Sequence, residues 1–222
     1  MARRTRSARG SGDVLRTEIV DAAKGLLADT GSEDGVSIRA VAHKVGVTAP
    51  SIYRHFADKQ ALIDAVVADV FSQLGDEMHS VAAGIDAPLE RLRQQGLAYV
   101  RFAREHPEQY RLATTQPSSA AMDVDHVLGS GAFTDFAQSI QDCIEAQIFV
   151  AGDPLPIALE FWAAAHGVAS LQISKPFLPW GNPDDIADRV LRSAAVGHAV
   201  TDRLGDPTPA QFVTWLAGMA PG

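Results

Sequence analysis

Between residues 37 and 59 the chain reads SIRAVAHKVGVTAPSIYRHFADK, and no other stretch restricts its fold as much. Ile38, Val41, Ala42 and Val45 fall at i, i+3, i+4 and i+7, the spacing of one helix face. Gly46 follows where a helix end takes a left-handed residue. Thr48 is placed to cap a second helix, with Pro50 in its first turn, where a missing N–H costs nothing. Ile52 and Phe56, four apart, give that helix a buried edge and leave Ser51, Tyr53, Arg54 and His55 for other work. Two short helices at a tight turn form a helix-turn-helix, whose second helix lies in the major groove of DNA.

The net charge of −8 argues at first against a nucleic-acid partner, but its distribution reverses the argument. Residues 1–60 hold ten Lys/Arg against seven Asp/Glu, and the rest hold nine against twenty. Attraction to phosphate is local and screened within about 10 Å, so a basic end and an acidic body divide the work sensibly. The arm with Arg3, Arg4, Arg6 and Arg9 either adds phosphate or minor-groove contacts or is a solubilising tail.

The 222 residues, 46% of them hydrophobic, suffice for one large or two small domains. Alanine-rich helical patterns dominate and no alternating strand pattern stands out, so the expected class is all-α. Helix 1 is expected over about 13–29, with Leu15, Ile19, Ala22, Ala23 and Leu26 inward. Helix 2 starts after a Ser37 cap, and helix 3 runs over about 49–56. Helix 4 runs over 58–79, with Asp58 as its cap and Leu62, Val66, Val70 and Leu74 facing the core. Helix 5 covers about 89–104, a short helix starts at Pro107, and an irregular connection spans 114–130. Helix 7 covers about 133–150, stopped by Gly152-Asp153-Pro154; helix 8 covers 157–174 and helix 9 183–204. A last short helix fits 209–219.

The single cysteine, Cys143, forbids an intrachain disulfide and suits a reducing cytoplasm. The start MARRTRSARG lacks the apolar run of a secretory signal, and no stretch is apolar enough to span a membrane. Asp123, Asp125 and His126 read as a solvated loop, since a fourth metal ligand is missing. No phosphate-binding loop, nucleophile elbow or paired acid–base constellation occurs. No enzyme activity, cofactor or metal is therefore expected.

The residues that narrow the outline are Arg16–Leu27, Thr30-Gly31, Val36-Ser37-Ile38, Ala42, Val45-Gly46-Val47, Ser51 to Phe56, Lys59 and Leu62-Ile63. Their order resembles the TetR family of transcriptional regulators over roughly residues 13–75. The resemblance implies a helix-turn-helix domain over 13–60, with helix 4 linking it to a helical ligand-binding and dimerisation bundle over 85–222. About nine or ten helices are expected in total. It implies that Tyr53, His55 and Lys59 contact operator DNA, with Ser37, Arg39, Thr48, Ala49, Ser51 and Arg54 as further candidates. Ser37 and Thr48 also suit a purely capping role, Tyr53 a packing role, and Arg54 a solvated face. The string Trp162-x-x-x-His166-Gly167 looks like the signature of one C-terminal subgroup of the family, and core packing with a satisfied histidine is favoured there over a ligand contact.

A homodimer joined by the helices near 157–174 and 183–204 is the arrangement the resemblance implies. A largely apolar small-molecule effector is expected among helices 5, 7 and 8, near Tyr99, Phe102, Phe136, Ile140, Cys143, Gln147, Trp162 and His166. The same eight side chains describe an ordinary core. The leading reading is a cytoplasmic, ligand-released repressor with an activator left open. The alternative is an all-α binding protein or enzyme whose helix-turn-helix serves packing or protein contact.

Overall fold

A computed structural model describes residues 11–115, 131–205 and 207–219. The basic arm, the connection over 116–130, and with it Asp123, Asp125 and His126, lie outside the described residues. Among the described residues the regular elements are ten α-helices and one 3-10 turn, so the all-α expectation holds. The helices are α1 (Ser11–Thr30), α2 (Ile38–Val45), α3 (Ala49–Tyr53), α4 (Lys59–Ala82), α5 (Pro88–Glu105) and α6 (Pro107–Thr115). After them come α7 (Gly131–Glu145), α8 (Pro154–Ser174), α9 (Pro183–Leu204) and α10 (Pro209–Gly218). They fall into two compact units. The first comprises described residues up to 73 together with 105–115, and the second 74–104 with those from 131 onward.

In the first unit, Ile19, Val41, Ile52, Leu62, Ile63 and Val66 are each at most 1% exposed. Burying one such side chain stabilises by about 1.5–3 kcal/mol, and this drives the short helices α2 and α3 to form at all. Of the expected inward residues of α1, Ile19, Ala22 and Ala23 are buried, while Leu15 and Leu26 are only half-buried. Leu27 is buried beside them. Lys24 is also buried, at 8% exposure, and its ammonium donates to Asp69 of α4 at 2.5 Å and pairs with Asp21 at 3.0 Å. Burial alone lowers its pKa; the hydrogen bonds and charges of Asp69 and Asp21 outweigh that and raise it above the ordinary lysine value. The folded pKa being the higher one, this stabilisation is complete below the ordinary lysine value and is lost as pH climbs through the raised one. Replacing Asp69 by Ala should destabilise the protein by roughly 1–3 kcal/mol at neutral pH, because Lys24 keeps only the exposed Asp21. Adding Lys24→Met should recover most of that loss in a denaturant titration. No recovery would show that the ammonium was never desolvated.

In the second unit, α4 and α7 approach so closely that a Cβ built on Gly75 would lie 2.9 Å from the backbone nitrogen of Ala132. Three boundaries differ from the sequence expectation, the first being α4, which runs on to Ala82 rather than ending at 79. Helix α7 stops at Glu145 rather than near Val150, because Gln147 takes φ +59 and Ile148 N–H bonds back to Cys143 O at 2.9 Å. The Arg203 guanidinium then donates to the carbonyls of Gln147 and Ile148 at 2.7 and 2.9 Å, which holds the early stop. Phe149, 2% exposed, is thereby set 5.8 Å from the Phe161 ring. Gly152-Asp153-Pro154 does a different job from the expected one. Asp153 caps α8, its carboxylate accepting from Leu155 N–H at 3.0 Å, so α8 opens three residues early at Pro154.

Candidate nucleic-acid interface and ligand site

The first unit builds the 37–59 segment from local chemistry. Ser37 caps α2, its hydroxyl accepting from Ala40 N–H at 3.2 Å. Gly46 has φ +77, and its N–H and that of Val47 close the helix on Ala42 O at 3.0 and 2.9 Å. A side chain there would be strained, so this glycine makes the turn. Thr48 occupies the cap position of α3, but its hydroxyl does not cap. It bonds to the Ser51 hydroxyl at 3.0 Å, and Arg54 Nη2 donates to that same Ser51 oxygen at 3.2 Å. Helix α3 is also shorter than expected. His55 and Phe56 lie in the turn after it, with both N–H groups on Ile52 O at 2.8 and 3.0 Å.

Burial sorts these residues by role. Ile52 and Phe56 are buried, whereas Ser37, Arg39, Thr48, Tyr53 and Arg54 are exposed, and Ala49, Ser51, His55 and Lys59 are half-buried. Tyr53, at 54% exposed, does not pack as a core residue. Phe56 is covered on one side by the Arg16 guanidinium, 5.0 Å from the ring centroid. Lys59 opens α4, where its charge opposes the helix dipole. The protein supplies the offsetting anion itself: Lys59 Nζ donates to Glu33 O at 3.0 Å and pairs with the Glu33 carboxylate at 3.4 Å. Glu33 begins the 3-10 turn Glu33–Gly35, a role that no local pattern in the sequence signalled.

The second unit brings three of the eight expected effector-site residues together. Trp162 Nε1–H donates to Tyr99 Oη at 3.0 Å, and that oxygen lies 3.5 Å from His166 Nδ1. Burial lowers the His166 pKa, so the neutral ring is favoured and acidification below the ordinary histidine value weakens the cluster. Phe102, Phe136, Ile140 and Cys143 are at most 5% exposed and lie within the packed interior. Burial pushes the Cys143 thiol up to about 11, which makes it inert. Gln147 stands apart, exposed in the turn after α7 with its carbonyl held by Arg203. Replacing Tyr99 by Phe should cost about 1–2 kcal/mol, because the Trp162 N–H loses that acceptor. A denaturant titration that shows no change would remove the hydrogen bond from the account.

A groove of about 530 Å3 lies among α5, α8 and α9, with Leu89, Leu92, Phe161, Leu191, Ala195 and Val196 on its walls. None of the eight expected residues lines it. The apolar spacing of Leu191 and Ala195 on α9 was the available signal, but spacing marks a buried face without saying what faces it.

Comparison with known proteins adds independent findings. Residues 19–66 match the family described as "Bacterial regulatory proteins, tetR family", and residues 92–216 match "Tetracyclin repressor-like, C-terminal domain". An uncharacterized HTH-type transcriptional regulator of Mycobacterium tuberculosis is 31% identical over 189 residues, which is 81% of this chain and 80% of that protein. The class D tetracycline repressor protein of Escherichia coli is 33% identical over 86 residues, and the match spans 38% of its length. A structure of a protein of unknown function from Rhodococcus sp. RHA1 superposes with a TM-score of 0.72 at 26% identity, covering 83% of this chain and 95% of that one.

Proposed function

This chain belongs to the TetR family of bacterial regulatory proteins, and we propose that it is a homodimeric repressor that a small molecule releases from operator DNA. The observation that carries the DNA-binding part is the sorting of residues 37–59. The apolar side chains Val41, Ile52 and Phe56 are spent on the core, while Arg39, Thr48, Tyr53 and Arg54 remain exposed for phosphates and base edges. Lys59 acts first as a structural residue, through Glu33, and contacts phosphate only through its remaining N–H groups.

A two-fold dimer uses one surface twice and sets two recognition helices about 34–36 Å apart, one turn of DNA. Apolar side chains left exposed on α8 and α9, Leu159 at 41%, Leu171 at 51% and Val196 at 63%, support those helices as the joining surface. The Tyr99, Trp162 and His166 cluster supports an effector that is mainly apolar and makes one or two hydrogen bonds. Such a ligand lowers DNA affinity only by binding better to a dimer whose recognition helices do not fit the operator. The repressor acts in the cytoplasm, and no described helix is long and apolar enough to cross a membrane.

The test is fluorescence anisotropy with duplexes from upstream of the chain's own gene, in excess competitor DNA. Binding should persist against competitor and fall linearly in log affinity with log salt concentration. No salt-dependent binding to any natural duplex would leave the helix-turn-helix a packing element.

A further inference from the structure

We propose that the second unit carries a polar binding site for a small organic cation, an amine that also bears a hydroxyl group. The site is a cleft of about 320 Å3 formed by the end of α4, the turn after it, α5 and α7. It lies one helical turn before Tyr99 on α5, and its chemistry differs from that of the aromatic cluster.

The cleft is marked by polar atoms that the protein leaves unsatisfied. Gln95 lines it and is 2% exposed; its Nε2 reaches Asp135 O at 3.5 Å, the outer limit of a hydrogen bond. Its Oε1 is buried with no hydrogen-bond partner. Four residues earlier, Arg91 Nη2 donates to Asp142 Oδ2 at 2.7 Å, while the buried Arg91 Nε has no partner. Residues four apart share one helix face, so two residues that line the same cleft each carry a buried polar atom without a partner. A buried polar group without a partner is destabilising, and native proteins seldom leave two together. One hydroxyl answers both, donating to Gln95 Oε1 and accepting from Arg91 Nε–H.

The charges select the rest of the ligand. Asp86, Asp135 and Asp142 line the cleft against Arg91 and His79. Even with His79 protonated, one negative charge is in excess, so an anion is repelled and a cation favoured. Arg91 is already committed to Asp142, and His79 Nδ1 lies 2.8 Å from the Asp135 carboxylate. Asp86 is exposed and is the carboxylate best placed to meet an ammonium at the mouth. An amino alcohol therefore fits the cleft from its buried end to its open one.

The test uses the full chain, with ethanolamine as the probe and ethylene glycol as the uncharged control, read by calorimetry and ligand-observed NMR. Ethanolamine should bind saturably, and ethylene glycol at least about tenfold more weakly. Gln95→Leu should weaken ethanolamine binding about tenfold or more, and Asp86→Asn several-fold. If Gln95→Leu fails to fold, Asp86→Asn, on an exposed turn, still gives the reading. The proposal is overturned by absence of saturable binding, by equal affinity for the glycol, or by folded variants that bind like the parent. It is also overturned if a crystal grown with ethanolamine shows only water between Gln95 Oε1 and Arg91 Nε. DNA plays no part in the readout, so such a failure would leave the repressor reading intact.

Discussion

Replacing Arg39 and Tyr53 together by alanine should lower operator affinity at least about a hundredfold while leaving the melting curve nearly unchanged. Contacts to phosphate or base edges contribute about 1–3 kcal/mol each, and losing two from each half of the dimer gives at least that factor. Both side chains are exposed on the first unit, so their removal creates no cavity, and such surface changes shift stability by about 0.5 kcal/mol or less. Anisotropy titrations at several salt concentrations show what Arg39 does. A phosphate contact is lost once from each half of the dimer, which flattens the slope of log affinity against log salt by about 1.8. A base contact instead relaxes discrimination at one operator position. Lys59→Ala gives a contrast, since it also removes the bond to Glu33 and should lower both affinity and stability. A folded double variant that binds the operator as tightly as the parent would take the exposed face of 37–59 out of the DNA interface.

The same segment shows which features a sequence makes legible. The Ser37 cap, the Gly46 turn and the buried pair Ile52 and Phe56 depend on neighbours at most four residues away, and each is found as expected. Long-range partners were not legible. Lys59 meets Glu33 across twenty-six residues, and Trp162 meets Tyr99 across sixty-three. The spacing of Trp162 and His166 placed those two on one helix face but could not name the oxygen between them. The end of α7 was missed for the same reason. Nothing local forbids helix beyond Glu145, and the stop is held by Arg203 from α9. Gln95 was missed differently: a glutamine within an amphipathic helix looks solvated until its 2% exposure is known.

Replacing Phe102 by alanine should cost about 3–5 kcal/mol, more than the loss of the Asp69 carboxylate or of the Tyr99 hydroxyl, and it tests what the interior of the second unit is for. Phe102 was expected to line an effector site, yet it is 1% exposed and among the largest fully buried side chains. If it is a packing residue, truncation removes its buried apolar surface and leaves a cavity that helices anchored at both ends cannot close. Denaturant unfolding would then show a lower midpoint at unchanged slope. An apolar cavity of that kind binds small aromatic molecules, so benzene should raise the variant's melting temperature and leave the parent's unaltered. If Phe102 instead flanks space that an effector fills, part of its surface already lacks protein contacts. The loss in stability should then be about 1 kcal/mol or less, and effector-driven release from DNA should change in its place. The two outcomes separate a core residue from a ligand contact in one variant, a distinction that the spacing of Tyr99 and Phe102 on α5 leaves open.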